Sequence, residues 1–305
     1  MRLLNASGCL DALTAPEVAR ELDAYVTKTV TPLPREGNAP VRIAETDVGM
    51  LNAIGLANPG VDAFVAEHLP RIAELGVPLW VSVGGFSVED YAHVARRVGE
   101  RDEVDALELN LSCPNVDEVP ENVWEVVAAV RGVTSKPLYA KLSAAVPDLG
   151  GLARAAESAG ADGLSLVNTV RGLALDERTL RPVLARGAGG LSGPALRPVA
   201  LAAVYACFRD TPLPIVGMGG VATGRDALEL LAAGASDVAV GTALFSDPGA
   251  VGRIRSELEA ELSAAGFANA DNAVGAAHDA GGSTLDQRSR LLVEKPLHMG
   301  ANMAG

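Results

Sequence analysis

Cysteine is scarce in this sequence, and no two cysteines stand at a metal-binding spacing. The 305 residues include three of them, Cys9, Cys113 and Cys207, without a Cys-x-x-Cys pair. A structural zinc or an iron–sulfur cluster needs several grouped thiolates, so we expect this chain to hold no metal site of its own. Isolated cysteines also suit a reducing compartment, and we expect a cytoplasmic protein.

Positive charge and long apolar stretches are also scarce. The 25 lysines and arginines are outnumbered by 38 acidic residues, which gives a formal net charge of −13. Binding to nucleic acid needs a basic face, so nucleic acid is not an expected partner. No apolar run reaches the ~18 residues of a membrane span. Met1 is not followed by a charged and then apolar leader, so we expect neither membrane insertion nor secretion.

Short apolar runs, by contrast, alternate with amphipathic stretches along most of the chain. This alternation is typical of repeated βα units around a parallel sheet. Strands are predicted near 3–6, 24–28, 78–83, 105–110, 137–142, 162–168, 214–218 and 237–241. Helices are predicted near 15–22, 61–75, 88–99, 121–132, 148–159, 194–208, 224–233 and 248–264. The sequence therefore predicts an α/β fold, the (β/α)8 TIM barrel, over residues 1–266. Residues 267–305 lack a period and are expected to form a disordered or loosely docked tail.

Three connections are longer than plain turns, and long loops in compact domains are usually functional. They cover residues 29–60, the turn around Cys113, and residues 169–193. Each leaves a predicted strand at its carboxyl end. We therefore expect all three to lie over one mouth of the barrel, where such barrels carry their active sites.

A strand-end histidine is missing, so a cysteine becomes the candidate base. The four histidines fall in predicted helices or in the tail. Cys113 follows the buried strand 105–110, and Pro114 should end strand pairing there. The alternative is that Cys113 is a small buried hydrophobic residue, although the polar turn Ser112–Asn115 is a poor place to bury one.

Glycines and lysines at strand ends predict an anionic ligand. The segments 216–221 and 240–244, together with Gly193, allow backbone N–H groups to approach a phosphate. Tight packing of the turns would explain the same glycines without a ligand. Lys28 and Lys141 each end a strand, where they can offset charge on a carboxylate or a reduced flavin ring. A Schiff-base lysine would lie in the same place, so a phosphate-binding barrel lyase remains an alternative. Amides that suit a planar imide and carboxylate are Asn52, Asn110, Asn115 and Asn168.

The chain resembles the class 1 dihydroorotate dehydrogenases over roughly residues 3–265. The similar segments are 5–8, 26–28, 50–60, the Asn-Leu-Ser-Cys-Pro-Asn turn at 110–115, 141–143, 167–169, 189–194, 217–220 and 240–242. The resemblance implies FMN-dependent oxidation of dihydroorotate to orotate in pyrimidine biosynthesis. It also implies that Cys113 is the base and that Lys141 offsets the charge on the reduced ring.

The same resemblance implies two sets of ligand residues. Those expected to line the substrate are Lys28, Asn52, Ala53, Ile54, Gly55, Leu56, Asn110, Asn168 and Thr169. Those expected to hold FMN are Ser7, Lys28, Thr29, Asn110, Lys141, Val167, Gly193, Gly219, Gly220, Gly241 and Thr242.

The electron acceptor stays open at this stage. Residues 45–58 are most similar to the B-type enzymes, which pass electrons to a partner subunit carrying FAD and an iron–sulfur cluster. Ser82 is instead more like the A-type, which uses fumarate and needs no partner. A homodimer is also expected.

Two further features depart from the family. Only four residues precede Asn5, where the family has a hairpin against the barrel floor, and Val116–Pro120 replaces a longer glycine-rich lid. The shortened lid leaves open a non-catalytic relative that binds FMN. A related flavoenzyme that reduces uracil-like rings is a further alternative.

Overall fold

The structure, a computed structural model, describes residues 1–111 and 122–278. Twelve strands occur within these ranges. They are β1 (Leu3–Asn5), β2 (Tyr25–Val26), β3 (Ile43–Thr46), β4 (Gly49–Asn52), β5 (Leu79–Val83), β6 (Ala106–Asn110), β7 (Leu138–Ser143), β8 (Gly163–Asn168), β9 (Val170–Gly172), β10 (Gly189–Ser192), β11 (Ile215–Met218) and β12 (Asp237–Val240).

Eight of these strands form one parallel sheet in the order β1-β12-β11-β8-β7-β6-β5-β2. A parallel bridge between Leu4 and Ala24 brings β1 and β2 together, so the sheet is a nearly closed barrel. The predicted (β/α)8 barrel is thereby confirmed, and each predicted strand lies within a residue or two of its expected bounds.

The helices surround this sheet, and several of them begin at a side-chain cap. They are α1 (Pro16–Arg20), α2 (Val61–Ala63), α3 (Leu69–Ala73), α4 (Val88–Gly99), α5 (Val123–Arg131), α6 (Leu149–Ser158), α7 (Arg197–Asp210), α8 (Gly224–Ala233), α9 (Ala243–Ser246), α10 (Ala250–Ala264) and α11 (Ala270–Ala273). A π-helical segment, Phe64–His68, joins α2 to α3. Ser87, Asn122 and Thr223 each accept a hydrogen bond from the backbone N–H three residues on, which satisfies a donor at the start of the helix. No helix in the described ranges is long and apolar enough to cross a bilayer.

Side chains alternate between the helices and the barrel interior, as the period of a strand requires. On β6, Leu107 and Leu109 pack outward in the large core, whereas Ala106 lies in the interior cluster with Trp80 and Tyr139. Arg2 lies 5.1 Å from the centre of the Trp80 ring and forms an ion pair with Asp237. In the described part of the chain these side chains fill the amino-terminal end of the barrel.

A second sheet, antiparallel and ordered β3-β4-β10-β9, was not predicted from the sequence. It forms from the long connections 29–60 and 169–193. Gly190 of the second connection pairs with Asn52 of the first, although the two are far apart in the sequence. Beneath it Leu51, Ala53 and Leu184 form a small separate core. We call this unit the mouth sheet, because it lies at the carboxyl ends of the barrel strands.

The chain after the last barrel helix continues to pack on the barrel. Ala273 is fully buried, and the ring of His278 lies 3.9 Å from that of Tyr205 and 4.7 Å from that of Phe208, centre to centre. The rest of the predicted tail, residues 279–305, lies outside the described residues. The division of the chain at residue 266 therefore stays a prediction.

Candidate active site

A cavity opens between the carboxyl ends of the barrel strands and the mouth sheet. Most of the residues predicted for substrate and FMN meet in its wall. They are Ser7, Lys28, Thr29, Asn52, Ile54, Gly55, Leu56, Asn110, Lys141, Val167, Asn168, Thr169, Gly193, Gly219, Gly220, Gly241 and Thr242. One described residue of the predicted set is placed differently, because Ala53 packs its side chain under the mouth sheet. Side chains alternate along this extended segment, so Asn52 faces the cavity and Ala53 faces away.

The candidate base, Cys113, lies outside the described residues, and so does Asn115. Strand β6 ends at Asn110, which lines the cavity, and Leu111 is the last residue described before residues 112–121. The described part of the chain therefore reaches the cavity wall at Asn110, three residues before Cys113.

Lys141 is buried in the cavity floor as half of an ion pair. Its Nζ donates to Ser7 Oγ at 2.9 Å and lies 3.3 Å from Glu108 Oε1. Lys141 is 4% exposed and Glu108 is 1% exposed, so neither is a solvated rim residue. Glu108 was not predicted as a site residue, although a charged residue inside an otherwise apolar strand is a signal that could have identified it.

Four polar side chains link the cavity wall into one hydrogen-bonded chain. Asn168 Nδ2 donates to Asn110 Oδ1 at 3.0 Å, and Asn110 Nδ2 donates to Thr29 Oγ1 at 3.0 Å. Thr29 Oγ1 in turn lies 3.0 Å from Ser82 Oγ. These hydrogen bonds tie the start of the connection 29–60 to strands β5, β6 and β8.

The orientation of both amides follows from one backbone group. The N–H of Thr169 donates to Asn168 Oδ1 at 2.9 Å, and an N–H can only donate, so Oδ1 of Asn168 must face it. Asn168 Nδ2 then faces Asn110 Oδ1. Because both amide oxygens accept hydrogen bonds from the protein, the two side chains are suited to offer N–H groups to a ligand that carries carbonyl or carboxylate oxygens.

One side of the cavity is built from glycine turns. Gly219 and Gly220 follow β11 with φ values of +118° and +78°, which L side chains rarely adopt. A Cβ at Gly220 would lie 2.7 Å from Arg197 Cβ, so the turn packs tightly on the start of α7. Thr242 Oγ1 donates to Ser192 Oγ at 2.9 Å and joins this side to the mouth sheet. The absence of side chains leaves backbone exposed, as a phosphate group requires.

Cys9 is a cavity residue that the sequence did not single out. It is half-buried and lies in the turn after β1. Burial raises the pKa of its thiol, and the nearby Lys141 and Lys28 only partly oppose that increase. The Cys9 thiol is therefore protonated at neutral pH and is poorly suited to act as a base.

Known proteins are similar to this chain in sequence and in fold. The family model described as dihydroorotate dehydrogenase matches residues 2–262. The dihydroorotate dehydrogenase B (NAD(+)), catalytic subunit, of Desulforudis audaxviator is 47% identical over 268 residues, which cover 86% of this chain and 87% of that protein. The protein of the same name from Geobacillus kaustophilus is 42% identical and covers 94% of this chain and 95% of its own length. The crystal structure of the Eimeria tenella enzyme in complex with ferulenol has a TM-score of 0.79 and 25% sequence identity, and covers 90% of this chain and 85% of that chain.

Proposed function

This chain belongs to the dihydroorotate dehydrogenase family, and from that premise we propose that its cavity oxidises dihydroorotate to orotate with FMN as the electron acceptor. The observation that supports this proposal best is the meeting of two oriented amides, two lysines and a glycine-rich side in one cavity. The amides and the lysines suit an anionic planar ring, and the glycine-rich side suits a phosphate.

The residues present fit a flavin mononucleotide. The phosphate would lie against Gly193, Gly219, Gly220 and Gly241, which have no side chains, with the Thr242 hydroxyl beside them. Ring-binding residues would be Ser7, Thr29, Lys141 and Val167, because they line the deeper wall. FMN, when bound, supplies the acceptor for the two electrons and the hydrogen that leave C6 of the substrate.

Substrate binding falls to the amides and to Lys28. Asn110 and Asn168 donate to the carbonyl and carboxylate oxygens of dihydroorotate, and Asn52 does the same from the mouth sheet. Lys28 supplies positive charge for the carboxylate. Ile54, Gly55 and Leu56 form the wall on the side of the mouth sheet, and Thr169 lines the same cavity.

Cys113 takes the proton from C5 in this proposal. It follows Asn110 by three residues, and three residues span at most about 11 Å of chain. The pKa of Cys9, a thiol that lines the cavity, is raised by burial, so we infer that Cys113 is the better base. Lys141 meanwhile places positive charge next to the ring that receives the electrons.

The names of the relatives favour a version of this proposal in which electrons pass from the flavin to a partner subunit. Several relatives are named as catalytic subunits of a B-type, NAD(+)-dependent enzyme. We therefore infer a partner subunit that carries FAD and an iron–sulfur cluster. A homodimer belongs to the same proposal, and exposed apolar side chains near the mouth sheet, such as Val48, Leu173 and Leu180, provide surface for contacts between subunits.

Anaerobic mixing with dihydroorotate tests the function. The purified protein should be yellow, its flavin absorbance should bleach on mixing, and orotate should appear in equal amount. Bleaching with a reduced uracil analogue but not with dihydroorotate would favour the related pyrimidine-reducing flavoenzyme. A yellow protein that stays oxidised would indicate the non-catalytic relative. A colourless protein that borohydride couples to an aldehyde or ketone substrate would indicate the lyase. The ion pair of Lys141 with Glu108 disfavours that alternative, because a Schiff base needs a neutral amine.

A further inference from the structure

Glu108 is a buried acid below the cavity that the proposed function does not yet use. Its neighbours Leu107 and Leu109 pack outward, and Ala106 lies in the interior cluster. Because side chains alternate along a strand, Glu108 points into the barrel one step deeper than Asn110. At 1% exposure it cannot interact with bulk water.

Lys141 connects Glu108 to the cavity. Within the described residues, the ion pair of Glu108 is with Lys141 at 3.3 Å. The same Nζ donates to Ser7 Oγ, and Ser7 lines the cavity where the FMN ring would lie. The ammonium group is therefore held between a carboxylate on its deep side and the cofactor site on its open side.

The surroundings of this pair provide little solvation for a charge. Trp80, Ala106, Tyr139 and Val216 fill the interior cluster on the floor side. Ser165 lies beside Lys141 on the neighbouring strand, and its buried Oγ has no hydrogen-bond partner in the described part of the chain. An ammonium group in such a place gives up its proton readily unless a negative charge opposes the loss of solvation.

We propose that Glu108 is a positioning residue for flavin reduction, and this inference rests on the function proposed above. Glu108 keeps Lys141 charged and directed at the cofactor before any electrons arrive. Negative charge on the reduced ring then meets a cation that is already in place. Reduction accordingly needs no additional proton to enter the buried floor of the cavity.

The variant Glu108→Gln separates charge from shape. Glutamine has the same size and retains an oxygen that can accept from Nζ, but it removes the counter-ion. Lys141 should then be neutral over part of the pH range in the oxidised protein. When the flavin is reduced, the negative charge on its ring becomes a new counter-ion, and Lys141 takes up a proton again. Two-electron reduction of the variant should therefore take up one more proton than reduction of the wild type.

The midpoint potential of the bound flavin, measured against pH, reports that proton. For Glu108→Gln we expect the slope to steepen by about 30 mV per pH unit over part of the neutral to alkaline range, which is one proton per two electrons. Ser165→Ala is the matched control, since it changes the same layer without changing charge and should keep the wild-type slope. Lys141→Met and the double variant Glu108→Gln, Lys141→Met both lack the lysine, so the two should have the same slope, whatever proton the reduced ring itself takes up.

Two results would overturn the inference. An unchanged slope in Glu108→Gln is one, even if the potential rises equally at every pH, because Glu108 would then act only as a distant negative charge. A slope that is steeper in the double variant than in Lys141→Met is the other, because the effect of Glu108 would then not depend on Lys141.

Unfolding in urea, without FMN, covers the case in which Glu108→Gln folds poorly. Breaking one half of a buried ion pair leaves an uncompensated charge, whereas removing both halves does not. The double variant should therefore be more stable than either single variant, and a double variant less stable than both would contradict the inference. Wild-type protein that binds no FMN would overturn the proposed function and this inference together. A wild type whose flavin dihydroorotate reduces, next to a Glu108→Gln slope that does not change, would overturn this inference alone.

Discussion

Asn110 and Asn168 act as a single unit at the scale of residues. Asn168 donates to Asn110, and its own oxygen is held by the Thr169 N–H. Asn168→Asp removes the donor and adds a negative charge facing an anionic ligand. Hydrogen bonds to charged groups contribute about 1.5–3 kcal/mol, so we expect orotate affinity to fall by roughly 10- to 100-fold.

Titration of the flavin spectrum with orotate measures that affinity. Asn269→Asp is the matched control, because Asn269 caps α11 and its side chain is far from the cavity in the fold. Aspartate caps a helix as well as asparagine does, so the control should bind orotate as the wild type does. Unchanged affinity in Asn168→Asp would show that this amide does not bind the substrate.

The residues of this cavity differ in how well the sequence identifies them. Lys28 and Lys141 were predictable because each ends a strand, and strand ends face the mouth. Glu108 stood out in the sequence as a charged residue inside an apolar strand, but its partner did not, since the ion pair with Lys141 joins two strands. Cys9 was overlooked because its burial and its pKa depend on the turn of a different strand.

The turn after β12 provides a test at the scale of elements. Gly241 lies at a strand end without a positive φ, and a Cβ there would meet Ala6 Cβ at 3.3 Å and Cys9 Sγ at 3.5 Å. Gly241→Ala should therefore fold and keep FMN. Gly241→Asp adds a carboxylate next to the proposed phosphate site, so the purified variant should lose most of its flavin through like-charge repulsion.

The ratio of flavin to protein absorbance gives the occupancy of each variant, and far-ultraviolet circular dichroism checks the fold. A Gly241→Asp protein that is folded and as yellow as the Gly241→Ala protein would move the phosphate away from this turn.

The mouth sheet provides the second test at this scale. Leu184 is 1% exposed and packs on Leu51 and Ala53 in the small core of that sheet. Leu184→Ala should destabilise the sheet by about 2–5 kcal/mol and displace Asn52, which lies on β4. We expect weaker orotate binding, with a smaller effect on thermal unfolding of the barrel.

Leu180→Ala is the control for Leu184→Ala, because Leu180 belongs to the same connection but is 71% exposed. It should leave orotate affinity unchanged. If both variants bound orotate like the wild type, the mouth sheet would not contribute to the substrate site.

The barrel was more predictable from sequence than the mouth sheet for a physical reason. Each barrel strand is a short apolar run followed by its own helix, so the pattern is local. Strands β3 and β9 are short and half-exposed. Strand β10 pairs with β4, which lies far from it in the sequence, so no local pattern predicts this pairing. Such strands are stabilised by their partners, which only the fold reveals.

At the scale of the whole molecule, the proposed B-type chemistry requires a second protein. The chain has three cysteines and no Cys-x-x-Cys pair, so it lacks the thiolates for an iron–sulfur cluster. The purified chain should not reduce NAD with dihydroorotate, whereas it should reduce artificial dyes. Absorbance at the NADH wavelength measures this directly.

Two results would change this view of the whole molecule. Strong NAD reduction by the chain alone would remove the need for a partner. Rapid turnover with fumarate would place the protein with the A-type enzymes, which Ser82 resembles at its position in the sequence.

The anaerobic rate of flavin bleaching by dihydroorotate, compared across pH for the wild type, Cys113→Ser and Cys9→Ser, tests the central claim most directly. Serine has nearly the shape of cysteine but a far higher pKa, so Cys113→Ser should bind orotate and bleach ~10²–10⁴-fold more slowly, the usual contribution of a positioned base. Cys9→Ser should keep the wild-type rate, because burial already raises the pKa of the Cys9 thiol. Photoreduction of the flavin should be normal in both variants, since it does not require the thiol. A Cys113→Ser protein that bleaches as fast as the wild type near neutral pH would contradict the assignment of Cys113 as the base.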